Sequence, residues 1–135
     1  MQKYYNFEKN LSVLEKANQQ DITNEFIVSG IIDKFMIQFE LSWKVLKELL
    51  KYEGNIEASS GSPRQILKAA FKNYDFIHEE IWLDMLNDRN QTAHIYDGNA
   101  AERLAQKVLS EYIPEFQSLR DNLIKNYTEK VLREI

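Results

Sequence analysis

Residues 24–52, NEFIVSGIIDKFMIQFELSWKVLKELLKY, decide the fold because they carry the longest uninterrupted helical pattern in the chain. At a rise of 1.5 Å per residue they form a helix of roughly 40 Å. An apolar arc this wide predicts burial against neighbouring helices and against a second protomer. Gly30, inside this helix, is interpreted as a close helix crossing. The apolar side chains cover two adjoining sides of the helix: Ile27, Ile31, Val45 and Leu49 on one, and Val28, Ile32, Phe35, Phe39, Trp43, Leu46 and Leu50 on the other.

Helical patterns also lie on both sides of this stretch. A first helix is predicted over residues 3–17, and Asp21 or Thr23 is expected to cap the long helix. After a loop at residues 54–61, the tetrapeptide Ser62-Pro63-Arg64-Gln65 has the pattern of a capping box with proline at the first helical position. The third helix begins there, with four side chains expected to face inward: Ile66, Leu67, Ala70 and Phe71.

The second half of the chain continues in the same way. Asp75 is expected to cap a fourth helix that ends at Gly98, and Asn99 with Glu102 indicates a further helix start. The last helical region covers residues 99–134, with a kink or break expected at Pro114. The connections are short, so neighbouring helices should be antiparallel. The sequence therefore predicts a single all-α domain over residues 1–135, an antiparallel up-and-down bundle of four to five helices.

Composition narrows the functional classes. A chain of 135 residues with 44% hydrophobic residues can bury a real core, and no apolar run is long enough to span a bilayer. The absence of cysteine excludes disulfides and thiolate metal sites and fits a reducing cytoplasm, where we expect this protein. The N-terminus lacks the apolar core of a signal peptide. A net charge of −4 argues against a wholly basic nucleic-acid-coating protein but is compatible with a local basic patch or a protein partner.

Common catalytic motifs are missing from the sequence. His78 and His94 lie sixteen residues apart, and His78-Glu79-Glu80 lacks the second histidine of a zincin helix. No glycine-rich phosphate loop and no nucleophile elbow is present. We therefore predict neither a metal nor a cofactor. Asp84 and Asp88, four residues apart, are interpreted as an exposed helix face.

Residues 84–97, DMLNDRNQTAHIYD, contain the remaining chemistry. Arginine matches a phosphate with a planar fork of donors, and histidine can move a proton near neutral pH. Arg89 and His94 could thus perform metal-free phosphodiester chemistry. On one helix their side chains would diverge by about 140°, and a two-fold dimer could bring both pairs to one cleft. The structural alternative stays open: Arg89 pairs with Asp84 or Asp88, and His94 is a residue at the edge of the bundle.

A family resemblance adds to these observations. The spacing of Arg89, His94 and Tyr96 resembles the R-x4-H-x-Y pattern of the HEPN superfamily. The segments FELSWK at residues 39–44 and SPR at residues 62–64, together with Trp82, resemble signatures of the nucleotidyltransferase substrate-binding protein family. Members of that family are HEPN partners of minimal nucleotidyltransferases. The similarity extends over roughly residues 26–112.

The resemblance implies a helical bundle that forms a homodimer, with the Arg–His motif at the dimer cleft, and a separate minimal nucleotidyltransferase as partner. One interpretation is a toxin–antitoxin pair in which this chain is a metal-independent ribonuclease, silenced when AMP is added to Tyr96. By position, Arg89 would bind phosphate, His94 would act in acid–base transfer and Asn90 would support both. The alternative is a non-catalytic subunit that presents substrate to the nucleotidyltransferase. Whether the chain is an enzyme stays open between these two interpretations.

Overall fold

A computed structural model describes residues 3–59, 61–92 and 97–135, and within them the predicted all-α fold is confirmed. Short 3₁₀ turns at Glu15–Gln19 and Ile56–Ser59 and a π-helix at Val108–Tyr112 lie between the α-helices. None of the described helices is long and apolar enough to cross a membrane. The α-helices are α1 (Lys3–Leu14), α2 (Glu25–Tyr52), α3 (Pro63–Asn73), α4 (Glu79–Gln91), α5 (Gly98–Lys107), α6 (Ile113–Asn126) and α7 (Glu129–Glu134).

The long helix α2 is the centre of the bundle and packs against α1, α3, α4 and α5. Its buried side carries most of the predicted apolar residues, including Phe35 and Phe39, which are completely buried. The opposite side is open. Phe26 is 85% exposed, and a Cβ added at Gly30 would meet no described atom within 4 Å. The predicted close helix crossing at Gly30 is therefore wrong within the described chain.

Helix α2 begins at a different cap from the two that were expected. The Asn24 side chain accepts hydrogen bonds from the backbone N–H groups of Phe26 and Ile27, at 2.8 and 3.3 Å. Asp21 instead accepts from Thr23, through both its backbone N–H and its hydroxyl. Asn24 is the better cap because it directly precedes the first helical residue, where its side chain reaches the unpaired N–H groups.

Helix α3 begins as predicted, but one of the residues predicted to face inward is exposed. Ser62 and Gln65 form the reciprocal capping box, with Pro63 at the first helical position. Ile66, Leu67 and Ala70 are buried, as expected. Phe71 is 46% exposed, so the prediction that it faces inward is wrong.

The second half of the bundle also begins and ends at different residues from those expected. His78, rather than Asp75, precedes α4, and its side chain makes no capping hydrogen bond. Gly98 begins α5, capped by Asp97, whose side chain accepts from the Asn99 N–H at 2.9 Å. The helix does not break at Pro114. The helical region continues from α5 through the π-helix into α6. Pro114 lies in the first turn of α6, where its missing N–H costs little.

A buried carboxylate joins α4 to α6. Glu115 is 6% exposed and accepts a hydrogen bond from the Trp82 indole N–H at 3.0 Å. The Nδ1 atom of His78 lies 2.8 Å from the same carboxylate and can donate to it, and the His78 backbone N–H donates at 3.4 Å. Trp82 is itself completely buried, so its N–H depends on Glu115 for a partner.

Replacing Glu115 with alanine should lower the free energy of unfolding by about 2–4 kcal/mol, because the Trp82 N–H would stay buried without an acceptor. Urea denaturation of the purified variant measures this loss. Glu111→Ala is the control, since Glu111 is exposed four residues earlier, and it should change stability by less than about 0.5 kcal/mol. Equal losses in the two variants would contradict a structural role for the buried carboxylate.

Candidate functional site

Arg89 lies in the last turn of α4 and bonds to a carboxylate on α2. Its Nη2 donates to Glu40 Oε1 in a close ion pair, and its Nη1 donates to Asn90 Oδ1 at 3.2 Å. The Arg89 side chain keeps 30% of its surface exposed. The structural alternative drawn from the sequence, in which Arg89 pairs with Asp84 or Asp88, is therefore wrong in its choice of partner.

Glu40 is the residue of this site that the sequence did not single out. Its second carboxylate oxygen accepts from the Trp43 indole N–H at 3.1 Å. Lys44 is 4.0 Å away, in the i,i+4 arrangement. Glu40 occurs in the FELSWK segment that supports the family resemblance, but its contact with Arg89 joins residues 49 positions apart. Helical spacing within α2 cannot indicate such a contact.

Asp88, next to Arg89, belongs to a second polar cluster. It accepts from the Tyr112 hydroxyl in a short hydrogen bond and lies 3.4 Å from Lys107 Nζ. Burial, reinforced by the hydrogen bond to Asp88, raises the pKa of Tyr112 well above its usual value. Asp84 is exposed, as predicted, whereas Asp88 is only 23% exposed, so the prediction of an exposed face is wrong for Asp88.

A small cavity of about 220 Å³ lies beside this cluster, between α4 and α5. Arg103 and Lys107 contribute two positive charges to its lining, and Asp88 contributes one negative charge. Arg103 is exposed. With Lys107 paired with Asp88, Arg103 gives the cavity lining one net positive charge, on a chain whose net charge is −4.

His94 and Tyr96, the other predicted site residues, lie outside the described residues. On one side of them, the Thr92 hydroxyl donates to the Arg89 carbonyl at 2.8 Å. On the other side, Asp97 caps α5. Arg89 bonds to the exposed Asn90, and the roles proposed for Arg89, Asn90, His94 and Tyr96 stay predictions.

The described residues hold no group of three or more histidine and acidic side chains that could bind a metal ion. At the described part of the site, Arg89 offers a partly exposed guanidinium group. Such a group can bind a phosphate or another oxyanion.

These observations define an all-α bundle in which an arginine at the end of α4 faces the central helix α2. A family model described as "Nucleotidyltransferase substrate binding protein like" matches residues 2–125. The chain belongs to this family, as its resemblance predicted. No curated protein matches the chain.

The coupling between Arg89 and Glu40 can be measured by a double-mutant cycle with Arg89→Gln and Glu40→Gln. We expect a coupling energy of roughly 1 kcal/mol, because both side chains are about two-thirds removed from solvent. The pair Arg133 and Glu129 is the control. Both are more than 70% exposed, and their coupling should be below about 0.5 kcal/mol. A zero coupling for Arg89 and Glu40 would contradict the ion pair.

Proposed function

We propose that this chain is the HEPN subunit of a two-component system with a minimal nucleotidyltransferase, and that it is a metal-independent ribonuclease silenced by AMP addition to Tyr96. The pair would act as toxin and antitoxin in the cytoplasm. The observation that carries the proposal is the placement of Arg89, anchored on one edge by Glu40 and still partly exposed. The family match supports the nucleotidyltransferase partner.

The hydrogen bonds of Arg89 leave it able to take a phosphate. A guanidinium group has more N–H donors than the two that Glu40 and Asn90 engage. The remaining donors have no acceptor among the described residues. Anchoring also reduces the rotamer freedom that a long side chain loses when it binds a ligand. Asn90 thus supports Arg89 by fixing one Nη atom.

The proposed reaction needs no metal. His94 would take the proton from a ribose 2′-OH, whose oxygen then attacks the adjacent phosphorus. The bond from phosphorus to the 5′ oxygen breaks, leaving a 2′,3′-cyclic phosphate and a 5′-hydroxyl end that takes up a proton. Arg89 would stabilise the negative charge that develops on the phosphate oxygens. The nearby Arg103 is exposed and could contact the RNA backbone.

Silencing would act on the same phosphate site. The Tyr96 hydroxyl would attack the α-phosphate of ATP, joining AMP to the tyrosine and releasing pyrophosphate. The added phosphate is bulky and negatively charged, and Tyr96 is seven positions after Arg89 in the sequence. A covalent anion so placed would compete with RNA for the guanidinium group.

A homodimer would complete the site by bringing two motifs to one cleft. The side of α2 that faces away from the core supports this part of the proposal, because it exposes apolar side chains. Phe26 is 85% exposed and Ile37 is 40% exposed, with the open Gly30 between them along the helix. Burial of such residues favours association.

The second candidate function is a non-catalytic subunit that presents substrate to the nucleotidyltransferase. The ion pair itself favours this alternative, because Glu40 already compensates the charge of Arg89. A net charge of −4 also disfavours RNA binding at long range. Under this alternative, Arg89 and Glu40 would have a structural role, and partner binding would not depend on either residue.

RNA cleavage in EDTA separates the two functions. The unmodified chain, confirmed free of AMP by intact mass, should cleave RNA, and Arg89→Ala and His94→Ala should each reduce the rate at least about a hundredfold. Arg133→Ala is the control, since it removes an equally charged but exposed side chain from α7, and should cleave normally. Cleavage that persists in His94→Ala would contradict the mechanism. No cleavage of several RNAs by the unmodified chain would favour the presenting subunit.

AMP addition is tested with the partner nucleotidyltransferase, ATP and Mg²⁺, followed by intact mass and peptide mapping. The wild-type chain should gain AMP on Tyr96 and lose RNA cleavage, while Tyr96→Phe should gain none and stay active. Tyr52→Phe is the control, because Tyr52 is an exposed tyrosine on α2, and it should be modified like the wild type. A label on Tyr52 or another tyrosine would contradict the assignment to Tyr96.

A further inference from the structure

A second cavity, of about 680 Å³, lies on a different part of the molecule from Arg89. It is a groove between α1 and the segment formed by α6 and α7, and none of its lining residues lies on α2 or α4. Its volume falls within the range typical of small-molecule sites. Two aliphatic side chains complete the lining, which otherwise consists of Tyr4, Tyr5, Glu8, Tyr127, Glu129 and Arg133.

We propose that this groove binds a small organic cation that carries a protonated amine. The proposal concerns a site separate from the proposed ribonuclease centre and does not depend on it. Two features of the groove point to this ligand class: a carboxylate without an ion-pair partner among the described residues, and an exposed aromatic ring.

The charged lining residues of the groove are Glu8, Glu129 and Arg133, and the ammonium group of Lys9 lies beside the Tyr5 ring. Glu129 accepts from Arg133 at 2.5 Å, so these two residues compensate each other. Glu8 is exposed and forms no ion pair with any described residue. Its Oε2 atom accepts a hydrogen bond from the Tyr4 hydroxyl at 3.1 Å, which orients the carboxylate without neutralising it. Glu8 is therefore the groove's available partner for an ammonium group.

The aromatic face is supplied by Tyr5, which is 58% exposed. The Nζ atom of Lys9 already lies 5.9 Å from the centroid of its ring, within the distance at which an ammonium group is attracted to an aromatic face. This contact indicates that the ring can attract a cation. A ligand ammonium group beside Glu8 would add the attraction of the carboxylate to that of the ring.

Two of the three tyrosine hydroxyls in the groove, those of Tyr4 and Tyr127, donate hydrogen bonds to carboxylates. Tyr4 donates to Glu8, and Tyr127 donates to Glu53 in a short hydrogen bond. Burial, together with these carboxylates, raises the pKa of both phenols above the usual value, so both stay protonated at neutral pH. A phenol that donates its proton to a carboxylate keeps oxygen lone pairs that can accept from an N–H donor.

The experiment uses ¹H–¹³C NMR of the tyrosine rings in the full chain, titrated with 1,4-diaminobutane. We expect saturable shifts of the Tyr5 and Tyr127 rings at millimolar concentrations, and no shift with 1,4-butanediol, which has the same length without charge. Glu8→Gln should weaken binding about fivefold, and Tyr5→Leu should weaken it by a similar factor.

Glu111→Gln is the matched control, because it removes one exposed carboxylate outside the groove and makes the net charge less negative by one unit, as Glu8→Gln does. It should leave the affinity unchanged. Equal weakening by Glu8→Gln and Glu111→Gln would overturn the proposal and indicate diffuse attraction to an acidic chain. Absence of saturable shifts in the wild type, or equal shifts with the diol, would overturn it as well. None of these outcomes bears on RNA cleavage, which depends on Arg89.

Discussion

The buried Trp82 side chain is the constraint on which the placement of the functional residues depends. Its ring packs edge-on against Phe116 of α6, with centroids 5.6 Å apart, and lies 6.4 Å from Phe39 of α2. Its N–H requires the buried Glu115 carboxylate. Because a helix is stiff over two turns, fixing Trp82 also fixes Arg89 farther along α4. Arg89 then meets Glu40, the residue that directly follows Phe39. The apolar contact of Phe39 with Trp82 and the ion pair of Glu40 with Arg89 therefore require the same alignment of α2 and α4.

This arrangement explains how the Arg89 side chain can hold α4 against α2 and still be partly exposed to a ligand. Glu40 holds one edge of the guanidinium group, and the Trp43 N–H in turn holds Glu40. A fully buried pair would have to overcome a large desolvation cost, and a fully exposed one would hold the side chain only weakly. The partly exposed Arg89 lies between these limits. Under the proposed function, this ion pair would preorganise Arg89 for an oxyanion on a protein whose net charge is −4.

The apolar patterns predict most of the fold because helical period and capping chemistry are local properties. The buried side of α2 and the capping box at Ser62 and Gln65 follow from spacing alone. The exposure of Phe71 and the open surface at Gly30 do not follow from spacing. Periodicity shows which residues share one face of a helix, but it does not show which neighbouring helix covers that face. The same limit applies to the site. Its motif makes Arg89 and Asn90 identifiable, whereas Glu40 and Tyr112 contact it from distant helices. Only the packing of those helices makes these contacts visible.

The proposed function assigns phosphate binding to Arg89, beside its structural role. It is tested most directly by following the arginine side-chain ¹⁵N resonances while adding a short RNA whose 2′-hydroxyls are replaced by fluorine, which prevents cleavage. If Arg89 binds phosphate, its resonances should shift in a saturable way, and those of Arg133, exposed on α7, should not. Unchanged Arg89 resonances at RNA concentrations that shift other arginines would contradict the account and assign Arg89 to the fold alone.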